Sequence, residues 1–134
     1  MIKKNGWIIG CFLALLCSLA SCDVIEDNDW DRRNAEVLLC GMVWMDDYIT
    51  SDNIDCHQEL YFNMDGTGMD VQEFFYKNHS EVTKFPFRWR WDGRYGNNML
   101  MAYPDGDSYF TNIFINEYSL SGVLDGVDVV FKVK

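Results

Sequence analysis

Two histidines, five cysteines and 21 carboxylates are the residues of this 134-residue chain that could do chemistry. A hydrolase needs a nucleophile beside a base, or two carboxylates held at a fixed separation. The chain contains no GxSxG segment, and neither His57 nor His79 lies in a pattern that pairs it with a reactive cysteine. Several acids instead flank a glycine, where a turn explains them: Asp65, Asp92, Asp105 and Asp125. We therefore expect no enzymatic activity.

Metal binding is not favoured by the spacing of these residues. The chain has no CxxC or HxxxH segment, and the carboxylates around Asp105 do not match the D-x-[DN]-x-[DN]-G loop of calcium sites. We expect no metal ion and no other cofactor. Cys40 and Cys56 form either one disulfide or two buried free thiols, and the sequence leaves both alternatives open.

The beginning of the chain has the layout of a secretory leader. Lys3 and Lys4 precede an apolar run over residues 7–16, which is too short to cross a bilayer as a stable anchor. The small residues that follow end in Leu19-Ala20-Ser21-Cys22, which resembles the lipobox of bacterial lipoproteins. The resemblance implies that residues 1–21 are removed, that Cys22 receives a diacylglycerol, and that its new amino group gains an acyl chain such as palmitate. Two or three such chains suffice for stable membrane attachment.

Charge narrows the range of partners. Loss of Lys3 and Lys4 with the leader leaves 9 basic and 21 acidic residues, a net charge of −12. Such a protein repels phosphate backbones, so we expect no nucleic-acid partner. Residues 22–31 form an acidic tether. Acids placed just after the lipidated cysteine also resemble the signal that sends lipoproteins of some Gram-negative bacteria to the outer face; a plain spacer is the alternative. We expect an outer-membrane lipoprotein on the periplasmic or cell-surface face.

Residues 32–134 predict one all-β domain preceded by a short helix. Asp31 is the candidate N-cap of a helix that ends near Gly41. Eight runs with strand character follow: Met42–Ile49, Cys56–Asn63, Thr67–Tyr76, Lys84–Trp91, Asn98–Tyr103, Ser108–Ile115, Tyr118–Leu124 and Val127–Val133. Alternation in KFPFRWRW predicts one buried face, formed by Phe85, Phe87, Trp89 and Trp91, and one wet face that carries Arg88 and Arg90.

Eight short strands joined by tight turns predict an antiparallel meander closed as a barrel, with a β-sandwich as the alternative. Three further segments are distinctive: "L.G..W" from Leu39, "F..DGTG" from Phe62, and the "F.W.W" strand. Together they resemble the lipocalin-like small lipoproteins of Gram-negative bacteria over about residues 36–134. The resemblance implies an eight-stranded barrel and no particular ligand. The chain departs from true lipocalins, which are longer and carry an additional helix after the barrel.

Two functions from different classes fit these observations. The first is a non-catalytic binding module for a small apolar ligand or a glycan, with contacts at Arg94, Tyr95, Tyr103 and Tyr109 beside the turns. The second is a structural or interaction lipoprotein that docks on or inhibits another protein, for which a barrel filled by its own aromatic side chains is a rigid scaffold. The basic cluster of Arg88, Arg90 and Arg94 either pairs with acids on neighbouring strands or contacts an anionic group.

Overall fold

The computed structural model describes residues 32–134, a short helix followed by eight β-strands. The helix occupies residues 32–41. The strands are β1 (Trp44–Ile49), β2 (Asp55–Phe62), β3 (Thr67–Phe75), β4 (Ser80–Trp91), β5 (Met99–Tyr103), β6 (Gly106–Ile115), β7 (Ser119–Leu124) and β8 (Val127–Val133). The predicted leader, the lipidated Cys22, the tether and the Asp31 cap lie outside the described residues.

Every strand pairs antiparallel with the next one, and β8 pairs with β1, so the sheet closes into a barrel. This confirms the predicted eight-stranded meander and its closure, and excludes the sandwich. The predicted strand limits are close to the observed ones. The largest difference is at β4, which begins at Ser80 rather than at Lys84.

Two of the predicted turns show why their residues are needed. Asp125 and Gly126 have φ angles of +49° and +83°, the left-handed pair that a two-residue hairpin loop requires. At the β2–β3 turn, Oδ1 of Asp65 accepts hydrogen bonds from the Thr67 amide at 3.0 Å and the Thr67 hydroxyl at 2.6 Å. These two aspartates therefore stabilise turns, as the sequence predicts.

The apolar core lies at the end of the barrel that the helix covers, called here the helix end. Trp44, at the start of β1, is fully buried, and its indole N–H donates to the Leu39 carbonyl of the helix at 3.0 Å. Rings and aliphatic side chains from the strands fill the space around it: Leu60, Phe62, Phe87, Trp89, Met99, Met101, Phe110, Leu120 and Phe131. Side chains thus fill the lumen at this end of the barrel.

The opposite end, called here the far end, carries the β1–β2, β3–β4, β5–β6 and β7–β8 connections. Neighbouring strands extend to different lengths toward this end. β4 has 12 residues and β5 only 5, so β5 pairs with only four residues of β4, Arg88–Trp91. In the described chain, residues 80–87 of β4 therefore pair with β3 on one side and with no strand on the other. We call residues 80–87 the free edge.

The free edge corrects one prediction for the "F.W.W" strand. Phe87 and Trp89 are buried as predicted, and Trp91 is half-buried, while Arg88 and Arg90 are exposed. Phe85 keeps the inward phase but is 37% exposed, so its predicted burial is wrong. The reason is the length of β5, because the wall that would cover Phe85 ends at Tyr103.

The seam between the first and last strands is also short. β1 and β8 share only two residue pairs, Trp44 with Val133 and Met45 with Lys132. Beyond Met45, β1 pairs with β2 alone, and β8 before Lys132 pairs with β7 alone, within the part of the chain described. The barrel therefore closes at the helix end and separates toward the far end on this side as well.

Candidate functional site

A groove lies where β4 and β5 separate. It has a volume of about 520 Å³ and is open to solvent. Its walls include Met69, Pro86, Phe87, Arg88, Tyr103 and Pro104. The groove exists because β5 ends at Tyr103 and the chain turns away at Pro104. The neighbouring part of β4, residues 80–87, extends beyond this point toward the far end without a β5 partner.

Two aromatic residues, Phe87 and Tyr103, belong to the lining of this groove. The Phe87 and Tyr103 rings lie 5.2 Å apart, and Phe87 also meets Phe62 edge-on at 5.4 Å. Gly68 makes room for the Phe87 ring, since a Cβ at position 68 would lie 2.3 Å from the Phe87 Cζ atom. Phe87 is only 3% exposed and belongs to the core, where its ring packs against Tyr103.

A buried carboxylate lies behind these two aromatic residues. Asp70, on β3, is only 5% exposed. Its Oδ2 accepts a hydrogen bond from the Tyr103 hydroxyl at 3.0 Å, and its Oδ1 accepts from the amides of Gln58 at 3.0 Å and Gln72 at 3.2 Å. The Tyr48 hydroxyl extends this network by donating to Gln72 at 3.4 Å. Four strands thus contribute to one polar network around a single acid.

Burial and the adjacent Asp70 charge raise the pKa of the Tyr103 hydroxyl above its usual value, so Tyr103 remains a protonated donor. Burial likewise raises the pKa of Tyr48. Hydrogen bonding fixes the position of the Tyr103 ring, because its hydroxyl is tied to β3 while its ring packs on β4. A side chain held in this way is preorganised for contact with a ligand.

The four residues predicted to bind a ligand do not come together. Tyr103 is the one that lines the groove, and it points into the barrel. Arg94 and Tyr95 belong to the β4–β5 loop at the helix end, where Tyr95 lines a second cavity of about 480 Å³ between the loop, the helix and β6. Tyr109 lies on the outer wall opposite Leu100 and is 53% exposed. The predicted residues therefore occupy three separate places.

Asp70 is a residue that sequence reasoning missed. Alternation along β3 places it on the same inward face as Gly68 and Gln72, and Gln58 on β2 has the same phase. An inward acid flanked by inward glutamines is a sequence signal for a buried polar network. The partner from β5, Tyr103, comes from barrel closure and carries no such local signal.

The predicted basic cluster is divided between surfaces. Arg88 and Arg90 point outward from β4, and Arg88 forms one rim of the groove. Among the described residues no ion pair involves an arginine. The Thr67 hydroxyl and amide lower the pKa of Asp65, and Arg88 adds a smaller effect in the same direction. Arg88 is the cation in the lining of the groove that a ligand could contact.

A separate charged cluster lies on the outer wall of β1 and β2. His57 contacts Asp47 at 2.6 Å through Nδ1 and Glu59 at 2.9 Å through Nε2, which raises the pKa of His57. Glu59 also accepts hydrogen bonds from Tyr61 and Lys134, and its pKa is lowered to about 2. In residues 32–134, no group of three or more His, Cys, Asp or Glu side chains is placed so that it could hold one metal ion.

The two cysteines of the domain are free thiols at opposite ends of the barrel. Cys40 lies in the helix, and Cys56 lies at the far end of β2. Of the two alternatives that the sequence leaves open, this is the one with free thiols, although Cys56 is buried and Cys40 only half-buried. Burial raises the pKa of Cys40 to about 11 and also raises that of Cys56, so both thiols are protonated near neutral pH.

The strands rather than the helix form the candidate site. None of the helical structure in residues 32–134 has the length and apolar character that a membrane crossing requires. Comparisons of the chain with family models, with curated proteins and with solved structures find no match.

Proposed function

We propose that this protein is a membrane-anchored lipoprotein of the Gram-negative outer membrane whose barrel is a non-catalytic binding module for a small apolar ligand or a glycan. The lipid anchor is Cys22, and the binding module is residues 32–134. The observation that carries the proposal is the groove between β4 and β5, with Tyr103 in its lining and Arg88 at its rim.

The size and lining of the groove support a small ligand. Ligand sites usually begin at about 300 Å³, and this groove has about 520 Å³. Tyr103, Met69 and Pro86 offer an apolar surface against which a hydrocarbon or a sugar ring can pack. Arg88 offers hydrogen-bond donors and a positive charge to a hydroxyl, carboxylate or sulfate at the other end of the same molecule.

The groove is tested with variants of its best-held ring. Tyr103→Ala removes part of the lining, whereas Tyr109→Ala removes an exposed tyrosine from outside the groove and is the matched control. We expect Tyr103→Ala to weaken binding of a fluorescent naphthylamine probe, or of a glycan selected on an array, by about tenfold or more, as losing one buried ring does. Tyr109→Ala should leave the affinity unchanged. Equal affinities of both variants and the wild type would contradict the assignment of the ligand site to the groove.

The anchor and the ligand require separate measurements. Labelling with a palmitate analogue should mark the protein, and Cys22→Ala should abolish the label; a label that survives contradicts the anchor. Native mass spectrometry of the protein purified from its own host should show a retained small molecule. Turnover of that molecule would contradict the non-catalytic assignment.

A second candidate function is docking on, or inhibition of, another protein, and an exposed apolar patch favours it. Phe114 on β6 and Val130 on β8 flank Ser121 of β7 on the outer wall, with 64% and 54% of their surfaces exposed. Tyr118, in the adjoining β6–β7 connection, is 77% exposed. Exposed apolar patches of this kind are typical of protein interfaces. Phe114→Ser combined with Val130→Ser should then abolish partner capture without changing groove binding.

A further inference from the structure

We propose that the free edge, residues 80–87 of β4, docks an extended peptide segment that alternates acidic and apolar residues. Such a segment would add one strand to the sheet beside β4, in line with β5. The proposal goes beyond the ligand groove, because it concerns a macromolecular partner and the main chain of β4. It depends on three features of this edge: hydrogen-bonding phase, charge and the exposed Phe85.

The hydrogen-bonding phase shows which main-chain groups face the partner. The Trp89 amide donates to the Gly66 carbonyl at 2.8 Å, so odd-numbered residues of β4 bond toward β3. The Asp92 amide donates to the Asn98 carbonyl at 2.8 Å, so even-numbered residues bond toward β5. Past the end of β5, the N–H and C=O groups of Val82 and Lys84 therefore point away from β3, toward the open side.

The open side is accessible to another chain. All residues from Ser80 to Pro86 are exposed. Pro86 has the same phase as Val82 and Lys84, so its missing N–H faces the open side and removes nothing from the β3 ladder. A partner strand can thus bond to Val82 and Lys84, and its pairing ends at Pro86.

Charge selects the kind of segment that can bind. Lysine and proline on an edge normally discourage pairing with an unrelated strand, because an uncharged neighbour leaves the lysine unpaired and the proline offers no donor. Lys84 and Arg88 lie on the outward face, on either side of Pro86. An acidic side chain opposite Lys84 would pair with this cation, and Arg88 adds positive charge farther along the same face. The edge therefore favours a segment with acids on its outward face.

The inward face of the edge is different. Phe85 points inward but is 37% exposed, and its β3 partner is the buried Asp70. A partner residue next to Phe85 would be apolar, because it covers the exposed part of this ring. Outward acids and inward apolar residues at alternate positions are the pattern of a single β-strand.

The experiment uses two capped hexapeptides, one alternating glutamate with valine and one alternating lysine with valine. Without its leader the chain has a net charge of −12, and this overall charge favours the basic peptide. We expect the acidic peptide to bind the purified protein about tenfold more tightly than the basic one. Bound acidic peptide should also slow hydrogen exchange of the Val82 and Lys84 amides.

Variants separate the main chain from the side chains. Val82→Pro removes one N–H that faces the open side. Pro86, whose nitrogen faces the same side, shows that β4 accepts a proline at such a position. Val82→Ala keeps the N–H and is the matched control. We expect Val82→Pro to weaken the acidic peptide about tenfold, as losing one hydrogen bond with an unpaired acceptor does, and Val82→Ala to change little. Lys84→Glu, a surface change that leaves the ladder intact, should reverse the preference between the two peptides.

Three results would overturn the proposal. The first is preference of the wild type for the basic peptide, and the second is equal affinity of Val82→Pro and Val82→Ala. The third is a dimer of the wild type that Val82→Pro disrupts, since the edge would then be occupied by a second copy of this chain.

Discussion

The inward face of β1 and β2 changes from apolar to polar between the two ends of the barrel. At the helix end the inward pair is Trp44 and Leu60, both fully buried. One step of two residues toward the far end, the pair is Asp46 and Gln58. Burial raises the pKa of Asp46, which shows that water is already partly excluded at this level. The same strands therefore provide a dry core at one end and a polar, hydrogen-bonded lining at the other.

The difference shows how a small barrel can combine stability with a surface for recognition. Each buried large apolar side chain contributes about 1.5 to 3 kcal/mol relative to exposure, and these side chains are concentrated at the helix end. Free strand edges and incomplete seams cost main-chain hydrogen bonds, and both are at the far end. Stability is thus derived mainly from one end, which leaves the other free to carry the groove.

The largest expected effect tests the boundary within β4. Phe87 is 3% exposed and Phe85 is 37% exposed, although they lie on the same strand and face. We expect Phe87→Ala to lower the free energy of unfolding by about 3 to 5 kcal/mol as a core truncation, and Phe85→Ala by about 1 kcal/mol or less. Urea unfolding measures both. Equal losses would mean that the core extends past β5.

A second prediction tests the polar network. Asp70→Ala leaves the Tyr103 hydroxyl and the Gln58 and Gln72 amides without their acceptor, which should cost about 1 to 3 kcal/mol. Asp70→Asn keeps one carbonyl acceptor at the site and should cost less. Chemical unfolding of the two variants side by side decides the point. If both lose the same amount, the carbonyl oxygen alone does not hold the network.

A third prediction concerns the level at which core and groove meet. Gly68→Ala would place a Cβ 2.3 Å from the Phe87 ring and 2.7 Å from the Tyr61 carbonyl. The ring can move, but the main-chain carbonyl cannot move without disturbing β2. We expect a loss of about 1 to 2 kcal/mol, since overpacking exceeds the gain from replacing a strand glycine. Gly93→Ala is unsuitable as a control because its φ is +97°; Gly41, which has open space, is suitable.

The smallest effect belongs to the outer wall and is visible through pH. Asp47 and Glu59 raise the pKa of His57 above its usual 6.5, so the stabilisation from this cluster is complete below 6.5 and is lost as the pH rises through the higher folded value. Wild-type stability should fall relative to His57→Gln between about pH 6 and 8. Asp47 is 78% exposed, and screening limits the difference to about 0.5 kcal/mol. Thermal melts across that interval provide the measurement, and parallel curves would contradict the assignment.

Local patterns predicted the parts of the fold that depend on local geometry. The left-handed pair Asp125-Gly126 identified a hairpin, and alternation placed Phe87 and Trp89 inward. The same alternation misjudged Phe85, because burial also depends on how far the neighbouring strand extends, and β5 stops short.

The candidate site depends on contacts that distant segments make. In the sequence, Tyr103 is one of four candidate residues beside turns, three tyrosines and one arginine. Only the closed barrel shows that, of these four, Tyr103 contacts Asp70 and lines the groove. Arg94 and Tyr95 lie in the turn before β5, whereas Tyr103 lies beside the turn after it. The length of β5 therefore separates residues that the sequence places in similar turn settings. Such separations follow from topology and register rather than from residue type.

The short seam between β1 and β8 has a kinetic consequence. Every other strand pair joins neighbours in the chain and can form early through a short loop, whereas this pair joins the two ends of the described sheet. Its closure carries the largest loop-entropy cost and is repaid by only two residue pairs. The seam should therefore form last during folding and open first in the native protein, as a partial unfolding that leaves the seven hairpins intact. The Lys134 amide, which donates to the Val43 carbonyl across this seam at 3.0 Å, and the Met45 and Lys132 amides of the same ladder would then exchange with solvent well before those of β6 and β7.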